Sequence, residues 1–257
     1  MNLRRLAERM SRGLVLRRHL PTEFNSLPIY VSPEAGLRYW RRRLDKVDPS
    51  LLRMVRELVK PGSVVWDIGA NVGLFSLSAA ALAGPSGSVI AIEPDIWLAN
   101  LLSRSSRHAG SSKQSSRVEV LCAAVTESPT ICQLQIAERS RASNHLSQTH
   151  GSTQAEGVRH IQQSVAVSLD FLLDYFPSPT VLKIDVESAE VAVLRGASRL
   201  LQTTRPVIFC EVTPENSDAV AFILHQNKYV LFEADTELSE RQAVRRAPWS
   251  TLAIPGN

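Results

Sequence analysis

The stretch Val64-Val-Trp-Asp67-Ile-Gly69-Ala-Asn71-Val-Gly73-Leu-Phe75 decides the fold. Its first residues, β-branched and aromatic, read as a buried strand; Gly69 to Gly73 read as a tight turn, and Leu74 onward as a helix. That order brings backbone close to a ligand and aims unpaired helix N–H groups at it. A dinucleotide fingerprint would read G-x-G-x-x-G, whereas this turn reads D-x-G-x-x-x-G, with Asn71 where a second glycine would approach a pyrophosphate. The acid at the strand end, Asp67, repels phosphate oxygens and suits an ammonium, so S-adenosylmethionine is favoured over a nicotinamide dinucleotide.

Working outward, the run Ser88 to Glu93 is a second strand ending in an acid twenty residues beyond Gly73. At that position a carboxylate accepts hydrogen bonds from both hydroxyls of a ribose. Two further runs, Val181 to Asp185 and Val207 to Glu211, also end in acids. In an open parallel sheet such ends lie along one edge, so Asp67, Glu93, Asp185 and Glu211 are expected to share one crevice. Lys183, Asp185 and Glu187 alternate, and an extended chain sends all three to one side; the cost of burying them under a helix makes the crevice their expected destination. Asp185 is the expected orienting group or base for an acceptor hydroxyl, Lys183 its pairing partner or a hold on an acidic substrate, and Glu187 and Glu211 are further catalytic candidates. His145 is an alternative base. Asp185 and Glu187 without a third ligand at a set spacing do not make a magnesium site, and no metal is expected.

The wider pattern from Pro61 onward alternates strand-like runs with helical ones, which defines an α/β fold with a mostly parallel sheet. Strands are predicted at 62–67, 88–93, 118–125, 179–185, 205–211, 229–233 and 250–254. Helices are predicted at 48–60, 73–83, 95–108, 169–175, 188–201 and 215–226, with Asp95 and Ser188 as N-caps. Glu138 to Ser164 is polar and Ser/Gln/His-rich, and reads as an insertion between the third and fourth strands.

With 257 residues, 44% hydrophobic and 21% charged, the chain has the composition of one large soluble domain or of a domain with an appendage, not of a disordered or fibrous protein. The expected division is a basic, partly helical appendage over 1–47 and a catalytic domain over 48–257. Residues 1–60 hold 14 Lys or Arg against 6 Asp or Glu, a net of +8 within an overall +4, so the remainder is mildly acidic. Leu3, Leu6, Met10 and Leu14 fall on one helical face of that basic segment. Docking of this helix on the main domain is favoured over contact with a membrane surface. The longest mostly apolar run, Leu74 to Gly84, is too short to span a bilayer. Three scattered cysteines form no disulfide framework, which makes a reducing, cytoplasmic location the expectation.

At Asp67-Ile-Gly-Ala-Asn-Val-Gly73, Glu93-Pro94, Ala123-Ala124-Val125, Val167-Ser-Leu-Asp-Phe-Leu172, Leu182-Lys-Ile-Asp-Val-Glu-Ser-Ala-Glu-Val191 and Pro206-Val-Ile-Phe-Cys-Glu211, the chain resembles the FkbM family of S-adenosylmethionine-dependent methyltransferases. The resemblance covers about residues 60 to 255. It implies a Rossmann-like, seven-stranded, mostly parallel sheet with its last strand antiparallel and helices on both faces. It also implies S-adenosylmethionine held by Asp67, Gly69, Asn71, Gly73, Glu93 and Ala124, and O-methylation of a hydroxyl on a sugar, glycan, polyketide or similar metabolite. Family members usually carry glycine where Ser188 stands, and a small backbone change is expected there.

Two rival readings come from different classes. A nucleic-acid methyltransferase would use the basic N-terminal segment and Trp40-Arg41-Arg42-Arg43, but the chain lacks an N-P-P-Y-type motif and a Pro-Cys nucleophile. A non-catalytic cofactor-binding module is opposed by the intact Asp67, Gly69, Gly73 and Glu93. The acceptor pocket of such a fold is built from loops, so sequence leaves the acceptor unnamed.

Overall fold

The structure is a computed structural model, and it describes residues 12–147 and 157–256. The expected amphipathic face Leu3 to Leu14 lies largely outside the described residues. The chain begins with a hairpin of β1 (Leu16–His19) and β2 (Pro28–Val31), followed after short turns by helix α1 (Pro49–Leu58). The deciding stretch then forms β3 (Val64–Ile68) and α2 (Leu74–Ala83), as its pattern predicts. Next come β4 (Ser88–Ile92), α3 (Ile96–Gly110) and β5 (Arg117–Leu121). Asp95 caps α3, accepting from the backbone N–H of Trp97 and Leu98. A second sheet is built from β6 (Ala124–Val125), β7 (Thr130–Ala137), β8 (His145–Leu146) and β9 (Val158–Val167). The main sheet resumes through the short helix α4 (Leu169–Leu172), β10 (Val181–Ile184), α5 (Glu190–Arg195) and β11 (Val207–Glu211). It ends with α6 (Ser217–Gln226), β12 (Tyr229–Glu233), β13 (Ala243–Val244) and β14 (Ser250–Pro255).

In the main sheet the strands run in the order β13, β12, β14, β11, β10, β3, β4, β5. The five strands from β11 to β5 are parallel, and β14 runs antiparallel between β11 and β12. The order reverses between β3 and β10, and that switch point is where an open α/β sheet leaves a crevice at its carboxyl edge. The seven expected strands are therefore present with the last one inserted antiparallel, and the short β13 adds an eighth at the edge. This is the Rossmann-like fold of class I methyltransferases.

The pleat sorts side chains onto two faces. Val65, Val89, Ala91 and Phe209 face a core shared with α1, α2 and α3, while Trp66, Ile68, Ile90, Leu182 and Ile208 face a second core under α5 and α6. The first core also contains Phe24, Ile29, Val31 and Leu44 from the segment before α1. Residues 20–47 thus pack into the domain, and the boundary expected at 47/48 does not divide the core. Basic residues of this segment and of α1 are set at the rim, as in the Arg38–Asp48 and Arg56–Glu23 pairs.

The polar region expected to be an insertion loop is partly strand. β9 pairs along most of its length with β7 in antiparallel register, Ile131 opposite Val165 and Gln135 opposite Ile161. Its polarity had hidden it. Arg159 turns inward to Glu34 and Gln162 to the Pro94 carbonyl, while Ile161 and Val165 are exposed, which inverts the usual pattern of a half-buried strand. Among the described residues no helix is long and apolar enough to cross a membrane.

Because Phe24 is fully buried in the shared core, Phe24→Ala is expected to cost about 3–5 kcal/mol of stability. Urea unfolding measures it, and a loss under about 1 kcal/mol would mean that the segment before α1 is only loosely attached.

Candidate active site

At the switch point β3 and β10 lie side by side with Asp67 opposite Lys183. Both side chains point to the face covered by α2, and both are buried. The Lys183 Nζ donates to the Gly69 carbonyl at 2.8 Å and lies 3.1 Å from Asp67 and 3.3 Å from Asp185. The Ser76 hydroxyl on α2 donates to the other Asp67 oxygen. Burial alone would lower the Lys183 pKa, but the carboxylates of Asp67 and then Asp185 outweigh it and hold the ammonium charged well above the ordinary lysine value. Two expectations change here. Lys183 does not stand free in the crevice, because three oxygens at its amine offset the cost of burial. Asp67 lies beneath the crevice, its charge already met by Lys183, and so is not placed to receive a ligand's ammonium.

Beyond Ile184 the extended conformation stops. Glu187 and Ser188 both have positive φ, 43° and 72°, so the alternation expected through Glu187 is broken by a left-handed turn. Helix α5 starts only at Glu190, with no side-chain cap. Ser188 is therefore not the expected N-cap; its N–H instead donates to the Glu190 carboxylate. The φ of 72° is one that glycine, the residue the resemblance leads one to expect here, adopts without the steric cost a Cβ carries.

Above this buried layer, at the carboxyl edge of the sheet, opens a cavity of about 140 Å³ that is continuous with solvent. Of the residues singled out from sequence, Gly69, Asn71, Glu93, Ala124, Asp185, Glu187 and Glu211 line it together. Gly73 sits behind, with φ 89° at the start of α2. Gly69 is required by close approach: its φ is 76°, and a Cβ would come within 1.8 Å of the Asp185 carbonyl oxygen. Asn71 adopts φ 54°, a region asparagine tolerates.

Glu93 is buried and clamps two loops, accepting from the N–H of Asn71 at 2.8 Å and of Asp95 at 2.9 Å. Burial pushes its pKa up to about 8, against those two donors. Glu187 is also pushed to about 8, by burial and then by Asp185 and Glu190. Glu211 reaches about 8 chiefly through the neighbouring Asp185, then burial, against the pull of Lys183. The crevice thus gathers three carboxyl groups with raised pKa values beside an Asp185 that is paired to Lys183.

The second sheet supplies a wall that sequence reasoning largely missed. Arg141 bonds Asp95 at 2.6 Å and Glu34 at 3.2 Å, and Asn144 bonds Asp95 at 2.7 Å. His145, buried on β8, faces the cavity, its Nδ1 3.2 Å from the Ser143 carbonyl. Because that carbonyl only accepts, Nδ1 is the donor in this contact. Opposite, Arg38 reaches the cavity from the segment before α1. No local pattern marks Arg38 or Arg141, which are recruited from far along the chain.

A class I methyltransferase sheet with a crevice at its switch point defines the class. The sequence profile described as "Methyltransferase FkbM domain" matches residues 67–234, and the chain belongs to the FkbM methyltransferase family. It is 26% identical over 171 residues to the hexuronic acid methyltransferase AglP of Haloferax volcanii, an alignment that covers 66% of this chain and 64% of that protein. A similar solved structure is a methyltransferase FkbM from Methylobacillus flagellatus, at 15% identity and TM-score 0.45, covering 79% of this chain and 49% of that one. Another is an S-adenosylmethionine-dependent O-methyltransferase from Thermotoga maritima, at 14% identity and TM-score 0.42, covering 81% of this chain and 66% of that one. The chain therefore spans less than two thirds of the length of the first two relatives.

Lys183→Ala is expected to lower stability by about 3–5 kcal/mol, because it strands Asp67 as an uncompensated buried charge. Calorimetric unfolding at neutral pH checks this; unchanged stability with lost activity would restore Lys183 to the catalytic set.

Raised carboxyl pKa values also fix a sign. Glu93, Glu187 and Glu211 hold their protons to about pH 8 in the folded chain, against an ordinary value of 4.5. Their favourable contribution is complete below 4.5 and is lost as pH rises to about 8. The unliganded protein is expected to melt higher at pH 5.5 than at pH 8, with Glu93→Gln reducing the difference; scanning fluorimetry across that window tests it, and a flat or opposite slope contradicts it.

Proposed function

We propose that this protein is an S-adenosylmethionine-dependent methyltransferase acting on a hydroxyl of a sugar, glycan or related metabolite. The observation that carries the reading is the convergence of Gly69, Asn71, Glu93 and Asp185 on one crevice at the switch point of the sheet. The cofactor fits the residues present. Leu98, Ala123, Val125 and Leu134 offer an apolar slot for a flat base, and Glu93 is a carboxyl at the cavity wall with acceptor capacity left beyond its two backbone donors. Gly69 and Asn71 keep that wall low enough for a ligand to approach the backbone.

When bound, the cofactor supplies a methyl group on a sulfonium, open to in-line displacement by an oxygen nucleophile. Asp185 then orients the acceptor hydroxyl and accepts its proton as the oxygen attacks. Lys183, fixed between Asp67 and Asp185, holds that carboxylate in place. Glu187 and Glu211, whose pKa values are pushed up to about 8, are placed to hydrogen-bond acceptor oxygens. A sugar-type acceptor is supported by the name of the Haloferax volcanii relative.

Calorimetry with S-adenosylmethionine and S-adenosylhomocysteine tests the cofactor; heat with NAD(H) and none with either would overturn it. Glu93→Ala is expected to weaken binding at least tenfold through the loss of two hydrogen bonds to the carboxyl, worth about 0.5–1.5 kcal/mol each. Asp185→Asn is expected to bind cofactor within a few-fold of the parent and to lose about 10²–10⁴ in turnover. Normal turnover in Asp185→Asn combined with loss in His145→Ala would move the base to His145.

A further inference from the structure

Arg38 stands apart from the other cations around the crevice. Lys183 is buried and saturated. Arg141 is nearly buried and splits its guanidinium between Asp95 and Glu34. Arg38 keeps 55% of its side chain exposed, and it lines both the main cavity and a smaller adjoining recess bordered by Asp48, Asp185 and Glu211. Only its Nη1 is engaged, with Asp48 at 2.7 Å and the Val47 carbonyl at 3.5 Å. Nη2 and Nε meet no partner among the described residues, and together they present one edge of the planar fork that pairs with a carboxylate through two parallel hydrogen bonds.

The backbone beneath Arg38 is held over the crevice. Asn71 Nδ2 donates to the Ala35 carbonyl at 3.5 Å, which ties the segment to the β3 turn. Glu34 accepts from Arg159 at 2.7 Å and from the Gly13 N–H at 2.6 Å, and the Ser140 hydroxyl reaches the Glu34 carbonyl at 3.4 Å. A cation on so fixed a support loses little freedom on binding.

We propose that the free edge of Arg38 receives a carboxylate carried by the acceptor, so that the substrate class is a hydroxylated carboxylic acid such as a hexuronic acid. This rests on the methyl-transfer reading above and names its acceptor. Bound in this way, the acceptor lies between Arg38 and Asp185, which selects the hydroxyl presented to the methyl donor. A singly charged carboxylate suits the position better than a phosphate dianion, because Asp48 and Asp185 stand close by. Arg38 lies outside the family's matched region, 67–234, so acceptor choice is set by a segment that the common domain does not include.

The test uses the full chain saturated with S-adenosylhomocysteine, with methyl glucuronide and methyl glucoside as probes in titrations followed by nuclear magnetic resonance. The glucuronide is expected to bind at least tenfold more tightly than the glucoside. Arg38→Gln should bring the ratio close to one, and Arg38→Lys should retain part of it, since an ammonium keeps the charge and loses the fork. Equal affinity in the parent, no binding of either sugar, or a ratio undiminished in Arg38→Gln would overturn the proposal. S-adenosylhomocysteine binding by each variant, measured beforehand, separates the two readings: its absence in the parent sinks the cofactor assignment, whereas its presence with indifferent sugar binding sinks the Arg38 assignment alone. Melting temperatures within a few degrees of the parent show that the variants are folded, and Arg38→Lys provides the reading if Arg38→Gln is not.

Discussion

One buried ammonium organises the centre of this molecule. Lys183 joins the ends of β3 and β10 through Asp67, Asp185 and the Gly69 carbonyl, at the point where the sheet changes direction. An open parallel sheet tends to splay there, because its helices leave to opposite faces. The lysine pulls the two strand ends together from below, so that Gly69 and Asp185 are left in near contact and the crevice has a rigid floor. Without that tie the buried carboxylate of Asp67 would repel Asp185, the group proposed to meet the acceptor. The cost of burying Lys183 and Asp67 is met by their mutual attraction and by Asp185 at the cavity wall, together with the Ser76 hydroxyl and the Gly69 carbonyl, the arrangement in which a buried ion pair is tolerated.

The main sheet was legible because its strands obey simple rules. Each is a short run of Val, Ile and Leu closed by an acid or a turn, and β3, β4, β10, β11, β12 and β14 fall within two residues of the predicted spans. The third predicted strand, 118–125, was one run in sequence and two in space, since the chain leaves β5 and crosses at Ala123 to start the second sheet. Much of the candidate site was legible for the same reason as the sheet: strand ends in a parallel sheet share an edge, and that alone brings Glu93, Asp185 and Glu211 together.

What was not legible depends on long-range pairing. Whether a lysine two residues before an acid enters the crevice or turns beneath it is decided by the neighbour on the adjoining strand, and the register of Lys183 opposite Asp67 cannot be read from either strand alone. β9 escaped because its polar side chains find partners inside the protein, so composition misreported which face was covered. The turn at Glu187 and Ser188 was hidden by serine standing in a glycine's conformation.

The clamp around Glu34 has a consequence for how the molecule comes into being. That single carboxylate gathers the Gly13 N–H, Arg141 and Arg159, partners 21, 107 and 125 residues away in the chain. Contacts of such separation are closed late, after local helices and neighbouring strands have formed, because the loop entropy must be overcome before they contribute. During synthesis the residues around Glu34 leave the ribosome more than a hundred residues ahead of the arginines that neutralise it. The pairing of β10 with β3, Lys183 opposite Asp67, spans a like separation, so the floor and the walls of the crevice both await the second half of the chain.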